Sequence, residues 1–316
     1  MKQTSGRKRP EYSIVIPVFN SEKTLPELTS RLHTVMNSLH RPYEIIMVDD
    51  ASRDGSWKQL EAIHAASPSV KIIQLLRNIG QFRALMCGFN HATGNFIITM
   101  DDDLQNPPEE IPSLIDAILK NDDTDCVIGV PQEKRHGLVR RIGSSILNLI
   151  NSYIFKKPVN LRMSSFRIIR RSIIMELICN KSVNVTPGPL LLLTTRNIIN
   201  ITVRHDQRKY GTTNYGPFRI IKTLLDNILN YTTLPLYFVG SFGIIVSILS
   251  FCFALYIVIR KIFFGFSISG WASLISMVSF FSGLMLFSLG IIGEYLIRII
   301  RQISTESQYI IRKKKL

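Results

Sequence analysis

Residues 95–110 read NFIITMDDDLQNPPEE. The stretch opens as an apolar, β-branched run of the kind that makes a buried strand. It meets three aspartates in a row, turns at Asn-Pro-Pro, and resumes at Pro108 with helical spacing. A strand that ends in acids and turns into a helix is the repeating unit of an α/β fold. Ligands in such sheets gather beyond the carboxyl ends of the strands. Two upstream stretches are built the same way: residues 14–25, IVIPVFNSEKTL, and residues 44–56, EIIMVDDASRDGS, which exposes Asp49 and Asp50.

Working outward, strands are predicted at Tyr12–Val18, Glu44–Val48, Val70–Leu76, Asn95–Met100 and Asp125–Val130. Helical patterns at Lys23–His40, Ser56–Ala66, Gln81–Ala92 and Pro108–Lys120 alternate with them. This alternation predicts an α/β domain with a largely parallel sheet. An acidic cluster at one sheet edge repels itself and needs a cation or hydrogen-bond donors to offset it. Carboxylate oxygens suit Mg²⁺ or Mn²⁺, hard ions that also take substrate phosphates as ligands. Alternate residues of an extended run share a side, so Asp101 and Asp103 can converge while Asp102 points elsewhere. Other metal and phosphate chemistries fit less well. The chain has no GxxxxGK[ST] loop, no GxGxxG after a strand and no HExxH spacing. Its four cysteines lie far apart without a CxxC pair, which suggests reduced thiols rather than disulfides or zinc.

The formal charge of +15 invites a nucleic-acid reading, but its distribution argues against one. Residues 1–133 hold 13 basic and 18 acidic side chains, whereas residues 134–316 hold 25 basic and 5 acidic. The acidic half suits a cation and the basic half suits anions. Residues 235–259 and 271–293 carry no charge, and each is long enough to span a bilayer, for which about 20 apolar residues are needed. A transmembrane hairpin is therefore expected. The basic residues flanking it, such as Arg260, Lys261, Arg298 and Arg301, place the N-terminal part in the cytoplasm by the positive-inside rule. Between Lys134 and Arg171 there are ten Lys/Arg and no acid, with apolar residues from Ile142 to Ile154 at helical spacing. This suggests an amphipathic helix on an anionic leaflet. The N-terminal stretch reads better as a strand than as a signal peptide.

The order of the motifs carries a resemblance. IPVFNSEKTLPEL, EIIMVDDASRDGS, LLRNIGQFRALMCGFNHATGNFIITMDDDLQNPPEEIP and GIIGEYLIRII follow one another over nearly the whole chain. In this the chain resembles the family-2, GT-A-fold glycosyltransferases that load a sugar onto a polyprenyl phosphate carrier. DLQNPPEEIP and FRIIRR look closest to the undecaprenyl-phosphate formamido-arabinose transferase branch. The resemblance implies an α/β nucleotide-diphospho-sugar transferase fold with a C-terminal two-helix transmembrane hairpin. Residues 1–133 would form the nucleotide-sugar and metal core and 134–232 the acceptor side. Residues 233–297 would form the hairpin and 298–316 a basic cytoplasmic tail.

The resemblance also assigns roles. Pro17, Phe19, Asn20, Glu22 and Asp49 would surround the nucleotide, a UDP-sugar by preference, with Asp50 and Arg77 nearby. Asp101 and Asp103 would hold Mg²⁺ or Mn²⁺ on the diphosphate, with Gln105 beside them. Arg167 and Arg208 would engage the acceptor phosphate, and Lys209 would add charge to a loop hinged at Gly211. Three departures stand out: Ser21 displaces Glu22 by one position, the loop reads Thr213-Asn214-Tyr215 where Ser-Lys-Tyr is usual, and Ser165 stands where many relatives have Asp. The last removes a carboxylate sometimes taken as the catalytic base. The partners implied are a nucleotide-diphosphate sugar, polyprenyl phosphate and anionic membrane lipid. A homo-tetramer is allowed, and no nucleic acid is expected. The competing readings are a processive polysaccharide synthase and an inactive nucleotide-sugar-binding scaffold. The first usually needs a QxxRW motif, and neither Trp57 nor Trp271 lies in that context.

Overall fold

A computed structural model of the chain describes residues 9–131, 158, 160–179, 187–207, 234–264, 270–303 and 309–316. The chain divides into two units: Met1–Asn214 with Glu306–Leu316, and Tyr215–Thr305. In the first unit, β1 (Tyr12–Val18), α1 (Leu25–Ser38), β2 (Tyr43–Asp49), α2 (Ser56–Ala66), β3 (Val70–Leu75) and α3 (Gln81–His91) come first. Next are β4 (Phe96–Thr99), a 3-10 turn at Pro108–Glu110, α4 (Ile111–Leu119) and β5 (Cys126–Pro131). They are followed by β6 (Arg167–Arg170), α5 (Arg171–Cys179), α6 (Pro187–Thr194) and β7 (Ile198–Val203). The second unit holds α7 (Leu234–Phe264) and α8 (Trp271–Ile303), after which β8 (Ile311–Lys315) belongs to the first unit again.

The sheet runs β7-β5-β6-β4-β1-β2-β3-β8. β3, β2, β1 and β4 are mutually parallel, β6 is antiparallel to both β4 and β5, and β8 is antiparallel to β3. β1 is central, and all seven of its residues are buried, which is why it reads as an unbroken apolar run. Side chains alternate across a strand. Accordingly Ile14, Ile16, Ile45, Met47 and Ile72 share one core with Leu25, Leu28 and Leu32 of α1, Leu60 of α2 and Leu114 of α4. Burying each such side chain stabilises the fold by about 1.5–3 kcal/mol. Val15 and Val48 face the other way, toward α3. A Cβ placed on Gly88 would lie 2.3 Å from Val15 Cγ1, so α3 sits this close to the sheet only because Gly88 has no side chain. That contact fixes where the N-terminus of α3 falls at the edge of the site.

All five strands expected from the sequence are present, with ends shifted by a residue or so. Three further strands were not anticipated. β6 and β7 come from beyond residue 133, so the sheet continues across the boundary drawn there. The expected tail is also more than a tail, since Ile311–Lys315 pairs along β3. Its charge run hid it, because four of its five residues are basic.

The two helices of the second unit are 31 and 33 residues long. Among the described residues, one stretch is long and apolar enough to cross a membrane, Phe280–Ile297, and Pro235–Val246 is a shorter apolar stretch. The qualifying stretch therefore begins and ends later than the expected 271–293, running through Glu294, the single acid within it. The basic amphipathic helix expected around Ile142–Ile154 lies outside the described residues.

Candidate active site

Three loops meet beyond the carboxyl ends of β1, β2 and β4. The first two are laced together. Asn20 N–H donates to Ser52 Oγ at 2.9 Å, and Arg53 N–H returns to Asn20 Oδ1 at 2.8 Å. Ser21 N–H donates to Ser56 Oγ at 2.8 Å, and Gly55 N–H to Glu22 Oε2 at 3.0 Å. A Cβ on Gly55 would lie 2.3 Å from Glu22 Oε1, so a larger residue there would displace the Glu22 carboxylate from its place on this backbone. The third loop joins through Asp102, whose Oδ2 accepts Phe19 N–H at 3.1 Å and Ser21 Oγ–H at 2.5 Å.

These loops carry backbone strain. Among the described residues four non-glycines have positive φ, and three of them lie here: Asn20 at 55°, Ala51 at 55° and Leu104 at 61°. Alanine and leucine rarely adopt this region, and such outliers collect at binding and catalytic sites.

The carboxylates divide by what they hold. Asp49 is fully buried, accepting Ser52 N–H at 3.1 Å and Gln74 Nε2–H at 3.2 Å. Asp50 accepts Ile79 N–H and Gly80 N–H, both at 2.8 Å. Burial pushes Asp50 above the ordinary range, and those two donors pull it partly back. Asp101 accepts Gln81 Nε2–H on Oδ1 and Ser165 Oγ–H on Oδ2, each at 2.5 Å. Burial raises Asp101, Ser165 opposes this, and the charge of Asp103 adds to the rise. Asp102 is pushed up to about 6, chiefly by burial. Asp103 Oδ1 accepts Gln105 N–H at 3.1 Å.

The other expected residues are placed as follows. Pro17 is buried within β1 opposite Val48, and Phe19 stands exposed at the mouth. Glu22 lies on the Gly55 backbone, and exposed Arg77 sits in the turn that Asp50 ties down. Gln105 also accepts Asp206 N–H on its carbonyl at 2.8 Å. Arg167 is buried in β6 and donates from Nε to Thr99 Oγ1 at 3.2 Å. Burial pulls its guanidinium below the usual arginine range, an effect the charge of Asp101 partly offsets. Arg208, Lys209, Gly211 and the Thr213-Asn214-Tyr215 run lie outside the described residues. Sequence reasoning missed Gln81 and the orientation of Ser165. Both are neutral, and Ser165 is 64 residues from the aspartate it touches.

The residues present fit a divalent cation. Asp101 and Asp103 are close enough for each charge to be felt by the other, and both offer hard oxygen ligands. Among the described residues no group of three His, Cys, Asp or Glu side chains could hold a metal by itself. This donor set suits Mg²⁺ or Mn²⁺, which are commonly bound by one or two carboxylates plus substrate phosphates.

Residues 13–178 match the family described as Glycosyl transferase family 2. The chain belongs to this family. Over 306 residues it is 36% identical to the undecaprenyl-phosphate 4-deoxy-4-formamido-L-arabinose transferase of Klebsiella pneumoniae strain 342, covering 95% of this chain and 92% of the relative. The transferase of the same description from Klebsiella pneumoniae subsp. pneumoniae is 35% identical, with the same coverage. Among solved structures, glucosyl-3-phosphoglycerate synthase from Mycobacterium tuberculosis, in complex with Mn²⁺, UDP-glucose and phosphoglyceric acid, aligns with a TM-score of 0.48. The identity there is 18%, over 69% of this chain and 79% of that one. The protein is thus a family-2 glycosyltransferase, and its mixed sheet with acids at the strand ends is the GT-A architecture that the motif order implied.

Proposed function

We propose that this glycosyltransferase moves a sugar from a nucleotide diphosphate, a UDP-sugar by preference, to polyprenyl phosphate at the cytoplasmic face of a membrane. The observation that carries the reading is the near full-length similarity to undecaprenyl-phosphate sugar transferases. The site supports it with a carboxylate cluster at the end of β4 that suits a diphosphate-bound cation. One stretch long and apolar enough to cross a bilayer, Phe280–Ile297, supports membrane anchoring, and the basic residues flanking the apolar runs support a cytoplasmic catalytic part.

Asp101 and Asp103 would hold Mg²⁺ or Mn²⁺, which supplies charge neutralisation for the departing nucleotide diphosphate. Phe19 would offer an aromatic face to the base and Asn20 would lie beside the ribose, with buried Asp49 bracing the β2 loop behind them through Ser52. Arg167, with Arg208 and Lys209 from the following segment, would orient the acceptor phosphate. Ser165 donates to Asp101 and is not a base. None is required, because a phosphate monoester has its second pKa near 6 and is largely ionised at neutral pH. Its oxygen attacks the anomeric carbon directly and inverts it. Orientation and preorganised charge carry the acceleration.

The test is transfer by the purified full-length protein in detergent, with undecaprenyl phosphate, Mn²⁺ or Mg²⁺ and a panel of UDP- and GDP-sugars. The panel includes UDP-linked 4-deoxy-4-formamido-L-arabinose. One donor should give a lipid-linked product, and Asp103→Ala should lower its rate by on the order of 100-fold or more. Product formation that survives EDTA would remove the metal from the scheme, and no lipid product from any donor would remove the acceptor assignment.

A further inference from the structure

Asp101 has a neutral side-chain donor on each of its oxygens. Gln81 reaches Oδ1 from the first turn of α3, and Ser165 reaches Oδ2 from the segment entering β6, both at 2.5 Å. A carboxylate has about four lone-pair positions. With one on each oxygen taken, the remaining two have fixed directions. An aspartate without such contacts would turn about its side-chain torsions.

The Gln81 arm is anchored in turn. Asp50 is only 3% exposed, and its two oxygens accept the consecutive N–H groups of Ile79 and Gly80. Gly80 sits at φ +94°, a conformation that L side chains rarely adopt, and α3 begins at the next residue. Two turns further along α3, its seat on the sheet is set by the close approach of Gly88 to Val15. Asp50 thus fixes a turn, the turn fixes the start of α3, and Gln81 carries that position to Asp101. The Ser165 arm is held by its own backbone, whose carbonyl accepts Thr99 Oγ1–H at 2.5 Å just before the acidic cluster.

We propose that Gln81 and Ser165 are positioning residues that orient Asp101 toward the donor diphosphate and its divalent cation, with Asp50 as the anchor of the Gln81 arm. This rests on the glycosyltransferase reading above. Neither side chain touches the reacting atoms. Each acts through Asp101, so its contribution vanishes when the Asp101 carboxylate is absent.

The experiment is a titration of the full-length protein in detergent with Mn²⁺ in the presence of UDP, followed by the Mn²⁺ spin-resonance signal. Gln81 is exposed, so Gln81→Met keeps its length, removes the donor and leaves the fold intact. Gln81→Met and Ser165→Ala should each weaken Mn²⁺–UDP uptake by roughly 10-fold. Ser165→Thr, which keeps the hydroxyl, should stay near wild type. On an Asp101→Ala background, Gln81→Met and Ser165→Ala should cause no further loss, and thermal melting checks that each variant folds. Wild-type uptake by the two single variants overturns the proposal, as does an equal loss with and without Asp101. Absence of Mn²⁺–UDP uptake by the wild type would overturn the reading of a metal-bound UDP-sugar donor and this proposal together, which is a different result from binding that the variants leave untouched.

Discussion

Glu44 shows how one buried charge ties three strands to a loop. It lies in β2 at 4% exposure and accepts Ser13 Oγ–H and Thr93 N–H at 2.6 Å, Thr93 Oγ1–H at 2.8 Å, and the Lys71 ammonium at 2.6 Å. Burial alone would raise its pKa, but Lys71, Ser13 and Thr93 together outweigh that and hold it below the ordinary range. A folded pKa below the unfolded one means that the stabilisation is complete above the unfolded value. It is lost as pH falls through the depressed folded value. Glu44→Gln should therefore lower the melting temperature at pH 7. Losing charge-assisted bonds of about 1.5–3 kcal/mol predicts a drop of several degrees. The gap should close as pH falls through the acid range, and a gap that stays constant from pH 7 to pH 3 would show that the charge is not what matters. At this scale the sequence was only partly legible. Asp101–Asp103 declared themselves because three adjacent acids need a reason. Gln81 and Ser165 did not, because a neutral donor leaves no mark in composition and their meeting at Asp101 is made by the sheet.

Among the elements, legibility followed burial. β1 to β5 were readable because strands covered on both faces must be apolar throughout, and their ends fell where acids and glycines interrupted them. β6 reads RIIR, too short and too flanked by arginine to stand out, and β8 reads IRKKK, which looks like a solvated tail. Lysines are, however, what an outermost strand uses to discourage pairing with other chains. β8 covers the free edge of β3. Leu76 N–H donates to the Ile310 carbonyl at 2.9 Å, and Lys315 Nζ lies 2.9 Å from Glu61. The Tyr309 phenol is half-buried, and burial pushes it up to about 12. Leu76 leads directly into the Arg77–Gly80 turn that Asp50 holds. Deleting Tyr309–Leu316 should lower the melting temperature by several degrees and produce concentration-dependent aggregation, readable by light scattering. Lys315→Ala should change melting within error, because the ion pair it removes is exposed. A truncated protein that melts and scatters like wild type would mean that β8 contributes nothing to the edge.

For the whole molecule, the uneven charge and the apolar helices belong to one arrangement. The acidic excess lies in the half that carries the site, and the basic excess lies in the half that contains the long helices. Along Phe280–Ile297, Met285, Leu286, Phe287, Leu289 and Ile292 are all exposed on α8. A contiguous apolar surface of this kind is not left in water and marks a surface that some apolar phase covers. For a helix of this length and composition, a bilayer is the natural phase. An arginine at the centre of a spanning helix costs about 2.5–3.5 kcal/mol on insertion scales, whereas the same change on an exposed position of a water-facing helix costs little. Leu289→Arg near the middle of the stretch should therefore move a large share of the protein out of the membrane pellet after alkaline carbonate washing. Leu119→Arg, on an exposed position of α4, should leave fractionation unchanged. If Leu289→Arg pellets like wild type while folding normally, Phe280–Ile297 does not cross the bilayer, and the anchoring must come from another part of the chain.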